Sequence, residues 1–180
     1  MTTSATLDSA SLADALCQRI NCRNIGAWLL ELAATLELPP TALMPEQPVA
    51  RHDIVVPHRG LRLVLTHPHA GDDDVGDPDR WLITEAQFAL AGQFDADWIG
   101  TLPFGLDSAN ETLETIVPKL GDEADGLSER AVTAGDRRQS YFMDDGLVVE
   151  VIWKPEQKGL ERIWIVRMGG ELLEPPGPIL

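Results

Sequence analysis

The chain has 180 residues and a mass of 19.7 kDa, enough for one domain or for two small halves that share a core. Its 44% hydrophobic and 24% charged content is ordinary for a globular protein and excludes a disordered chain. Twenty-nine acidic side chains against 14 basic ones leave a net charge of -15, a surface that repels phosphate, so the expected partner is a basic protein and neither nucleic acid nor a membrane.

Taken in chain order, the first element is a helix. Leu12, Ala15, Leu16, Arg19 and Ile20 recur at helical spacing, with Ser9 or Ser11 as cap. A second helix places Ile25, Trp28, Leu29, Leu32 and Leu36 on one stripe, opened by Asn24 and stopped by Pro39 and Pro40. Ile54–Val56 and Leu61–His67 read as two strands turning about Arg59 and Gly60, the second alternating as a half-buried strand does. The segment His69–Arg80 holds five aspartates and only Ala70 and Val75 as apolar residues, which predicts an exposed loop. Trp81–Phe88 reads as a third strand.

The second half repeats this order. Ser108 and Glu111 form a capping box, followed by the stripe Leu113, Ile116, Val117 and Leu120, which Gly121 ends and Pro118 kinks or shortens. Gln139–Met143 and Leu147–Trp153 make a hairpin about Asp145 and Gly146, and Leu160–Met168 is a last strand. Slid along itself, the chain sets Arg51 on Arg137, Gly60 on Gly146, and Leu63 and Leu65 on Val149 and Val151. The offset changes only in loops, as in a diverged duplication. The expected fold is α+β: an antiparallel sheet with helices on one face, built from an α(α)βββ unit used twice. The first half is 1–92, the second 93–170, and residues 171–180 form a Pro-rich tail. If the unit is duplicated, both hairpin turns are expected at one end of the sheet, with the two longer loops together at the other.

Sites for chemistry are sparse. All four histidines (His52, His58, His67 and His69) lie within Arg51–His69, and His67-x-His69 is followed at once by the aspartate run, a set of types that suits zinc or manganese. The run lacks the glycine and distal glutamate of a calcium loop, and no Glu-x-x-His or Cys-x-x-Cys pattern accompanies it, so a solvated loop and no metal is expected. Cys17 lies in a helical stripe and reads as a small buried hydrophobe, with Cys22 in the following turn. No nucleophile elbow or phosphate loop occurs; catalytic residues and cofactors are expected to be absent. Trp28 and Trp153 read as core, whereas Trp164 shares a strand face with Arg162, a pair suited to a binding hot spot. The densest charge is Asp72, Asp73, Asp74, Asp77 and Asp79, a row of carboxylates able to occupy a phosphate site on a basic partner. These five, with Trp164 and Arg162, are the predicted partner-binding residues.

Leu102-Pro103-Phe104-Gly105-Leu106, followed by capped Ser108-x-x-Glu111, a short helix and Leu120-Gly121, resembles the lead into the helix of the β-lactamase inhibitor protein architecture. The same unit occurs singly in small outer-membrane assembly lipoproteins. That resemblance covers Ala96–Met168; it implies a repeated α/β unit and an inhibitory, non-enzymatic role. The start of the chain, Met1–Leu12, lacks the basic and apolar segments of a signal peptide. No run reaches the roughly 18 apolar residues of a membrane span, so a cytoplasmic location is expected. A small, acidic, cytoplasmic protein of this kind is similar to the immunity proteins of bacterial toxin systems. Neutralisation of a basic toxin is therefore the expected function. The alternatives are an acidic secretion chaperone or adaptor for an effector, or a small-ligand-binding or hydrolytic domain.

Overall fold

The computed structural model describes residues 9–43, 51–56, 58–67, 78–121, 137–168 and 172–173. Three helices, α1 (Ser9–Cys17), α2 (Gly26–Thr35) and α3 (Leu113–Leu120), accompany six strands. These are β1 (Arg51–Val56), β2 (Leu61–Thr66), β3 (Leu82–Ala89), β4 (Arg138–Phe142), β5 (Leu147–Trp153) and β6 (Leu160–Arg167). The strands form one antiparallel sheet in the order β1-β2-β3-β6-β5-β4, so the fold is α+β as expected.

Alternation along the strands gives the sheet an inner and an outer face. Leu63, Phe88, Ile163, Val149 and Val151 point inward and join Leu12, Leu16, Leu29, Leu32, Ile116 and Leu120 of the helices in one buried cluster. All three helices thus cover the same face. Burying this much aliphatic and aromatic surface, at about 25 cal/mol per Å² of apolar area, is the main force holding the two layers together. Val64 and Val148 lie on the outer face; both are buried, yet neither belongs to that cluster.

Three local expectations are corrected. The hairpin turns lie at opposite ends of the sheet. Leu61 is level with Phe88, Ile163 and Val151, whereas Leu147 is level with Arg167, because the two three-stranded meanders meet through antiparallel β3 and β6. The capping box of α3 is Thr112 with Thr115, not Ser108 with Glu111. Glu111 instead turns inward, where its carboxylate finds three donors. Asn24 does not cap α2: it adopts a left-handed backbone, φ 55°, and Ile25 takes the N-cap position without a side-chain bond. Pro118 lies inside α3, which runs past it to Leu120 and is followed by Gly121 with φ 85°.

Candidate functional site

The outer face of the sheet is where side chains converge without a helix above them among the described residues. Strand register lines up Val55, Arg62, Gln87, Trp164, Glu150 and Ser140 in one row across all six strands. The adjoining row is Asp53, Val64, Glu85, Val166, Val148 and Phe142. Trp164 stands on β6, one of the two central strands, half-buried, with its indole N–H donating to Glu85 at 3.2 Å. Arg162, two residues earlier, donates through Nε to the Gln93 side-chain oxygen, while the Gln93 amide donates to Glu161 at 2.8 Å. The predicted pair therefore does share the outer face, near its middle, and the loop that follows β3 holds the arginine in place.

Charge on this face is balanced in place. Arg51 pairs with Glu85 at 3.1 Å and with Asp53 at 3.3 Å, Arg62 with Asp53 at 3.2 Å, and Arg138 with Glu150 at 3.5 Å. Each such pair is worth at most about 1 kcal/mol to folding where it meets solvent. Their importance lies in what they leave behind: a face holding four arginines and three acids within a chain of 14 bases and 29 acids. Sequence reading missed Glu85, Glu150, Arg51, Arg62 and Arg138 because alternation shows two faces but does not say which one the helices cover.

The aspartate cluster divides. Asp72, Asp73, Asp74 and Asp77 lie outside the described residues. Asp79 is exposed, and its carboxylate accepts the Gly26 N–H at 2.9 Å while its carbonyl accepts from Asn24 at 3.2 Å. It is thus the N-cap that α2 lacks locally, supplied from 53 residues away. Asp79→Ala should cost about 1 kcal/mol in urea unfolding, and Asp79→Asn markedly less, since an amide oxygen caps nearly as well.

Other candidate chemistry resolves into packing. His67 is buried edge-on to Trp81, with ring centroids 5.4 Å apart, and His52 bonds the Ala42 carbonyl at 2.9 Å. His69 lies outside the described residues. Among the described residues, no three His, Cys, Asp or Glu side chains gather as metal ligands. Cys17 and Cys22 are both buried, and desolvation pushes the Cys17 thiol far up, which keeps it unreactive at neutral pH. Arg19, also buried, lies 4.7 Å from the Trp28 ring centre and donates to the Ala15 carbonyl, so Trp28 packs on the core as expected and also covers a cation. A shallow cleft of about 410 Å³ lies along Gly100–Leu102 and Gly105–Ser108; Asp107 at its rim is already bonded to the Ala109 and Asn110 N–H groups.

No family model matches the chain, and no curated protein matches it. Among solved structures, a DUF4309 family protein (YjgB) from Bacillus subtilis is similar, at 13% identity over 76% of each chain with a TM-score of 0.31. A likeness that distant assigns neither a fold family nor an activity. No helix of the described residues is long and apolar enough to cross a membrane.

Proposed function

We propose that this chain is a non-enzymatic protein that binds and neutralises a basic protein, in the manner of an immunity protein. The carrying observation is the partition of charge. The chain has a net charge of -15, yet among the described residues the outer face of the sheet, with Val55 and Phe142 in reach of solvent, is nearly balanced. The acid excess therefore belongs to the loops, the sheet ends and the helical side, where Asp14, Glu31, Glu37, Asp95, Asp97, Glu114, Asp144 and Glu156 are all exposed. Such a field draws a basic partner from a distance and speeds encounter at low salt.

The test is binding to the products of the genes beside its own, each prepared as an inactive variant. One of them, rich in Lys and Arg, should bind, and co-expression should relieve the growth arrest that its active form causes. Replacing Asp72, Asp73, Asp74 and Asp77 by asparagine, with Asp79 kept as the α2 cap, should weaken that binding at least about tenfold at low salt, or about 1.4 kcal/mol. The melting temperature should not move. Failure of every basic neighbour to bind would reject the proposal.

A further inference from the structure

We infer that the outer sheet face is the interface of a homodimer, in which two copies pack sheet against sheet. Three observations point to a second copy of this chain. The first is charge: Asp53, Glu85 and Glu150 are each paired with an arginine and Arg162 is held by Gln93, so covering the face leaves no carboxylate unpaired, while a basic protein would gain little from it. Its four cations are all arginines, the cation enriched at interfaces, with no lysine among them.

The second observation is self-complementarity. A two-fold axis parallel to the strands, running between β3 and β6, sets each strand over its mirror-order counterpart: β1 over β4, β2 over β5, β3 over β6. In the row through Trp164 this brings Arg62 opposite Glu150 of the second copy and Gln87 opposite its Trp164. In the next row Asp53 falls beside Phe142 and Glu85 beside Val166 of the second copy, each acid already held by Arg51, while Val64 and Val148 are buried within their own sheet and add no contact. An isologous contact needs such a self-matching pattern.

The third observation is size. Six strands spaced about 4.8 Å apart and about 20 Å long give a face of roughly 600 Å² in projection, and more as corrugated accessible surface. A stable interface takes about 800 Å² from each partner. Trp164 sits near its centre, with Phe142 (41% exposed) and Val55 (49%) toward the edges, the arrangement of a hot spot within a rim.

Sedimentation velocity of the full chain across about 1–100 µM tests this. A species of twice 19.7 kDa should dominate at high concentration and dissociate on dilution. Added salt should tighten it, because two bodies of charge -15 otherwise repel. That response is opposite in sign to binding of a basic partner, so the two proposals fail separately. Trp164→Glu should leave a monomer with an unchanged circular dichroism spectrum. Should that variant misfold, Gln87→Cys gives an independent reading: next to the axis, it should be joined to its mate by a bismaleimide with a span of about 10 Å, the spacing of packed sheets. A monomer at 100 µM overturns the inference, as does a dimer that resists Trp164→Glu or that Gln87→Cys does not cross-link.

Discussion

Gly60→Ala is expected to destabilise the fold by about 4 kcal/mol, near the top of the range for a single substitution. Gly60 has φ 58°, where an alanine pays about 1 kcal/mol for its β-carbon. That carbon would also stand 2.2 Å from the Trp98 nitrogen and 2.4 Å from the Asp97 carbonyl carbon, both backbone atoms that cannot swing aside. Making room means moving the loop that Trp98 N–H anchors to the Ala89 carbonyl at 2.7 Å, while Ala89 N–H bonds the Gly60 carbonyl at 2.8 Å. Trp98 would then withdraw from Phe88, whose ring it meets edge-on at 5.0 Å. Gly92→Ala is the control. Its φ is 64° but nothing lies within 4 Å of the added carbon, so about 1 kcal/mol should be lost. Urea unfolding of both variants checks the contrast.

Glu111→Ala should cost about 3 kcal/mol, a fall in melting temperature of roughly 6–12 °C for a chain of this size. The Glu111 side chain is fully buried, with Lys119 at 2.8 Å, the Asp107 N–H at 2.8 Å and the Thr115 hydroxyl also donating. Its own carbonyl accepts the Gly159 N–H at 2.7 Å, so one residue ties the start of α3 to the β5–β6 turn. Burial by itself pushes this carboxyl up; the Lys119 ammonium, the Thr115 hydroxyl and the Asp107 N–H outweigh it and hold the group below its ordinary range. A carboxyl depressed in the folded state adds stability above its unfolded pKa of about 4.5 and loses it as pH falls through the folded value. The stability gap between the native chain and Glu111→Gln should therefore be full at pH 7 and close progressively below pH 4.5. A gap that stays constant down to pH 2 would show that Glu111 acts by shape alone.

Much of the fold is legible in the sequence because it is written in local periods. The predicted strand Leu147–Trp153 and helix Leu113–Leu120 coincide with β5 and α3. What was not legible depends on residues far apart in the chain. Asn24 has the right identity and position for a cap, yet Asp79 takes that role because β3 returns past the start of α2. Ser108 and Glu111 have capping-box spacing, but the buried site near Lys119 offers Glu111 stronger partners than the N-cap N–H does. Trp164 and Arg162 were found on one strand face; their neighbours Glu85, Gln93 and Glu150 come from other elements, and only register brings them together. The direction of each half within the sheet was likewise hidden, since it follows from how β3 meets β6.

The central claim is that this acidic chain acts by capturing a basic protein, and the rate of that capture against ionic strength tests it most directly. With the basic product of a neighbouring gene as analyte, the association rate constant should fall at least about tenfold between 20 and 300 mM salt, while dissociation changes little. An association rate that ignores salt would contradict the account, because the charge of -15 would then play no part in finding the partner.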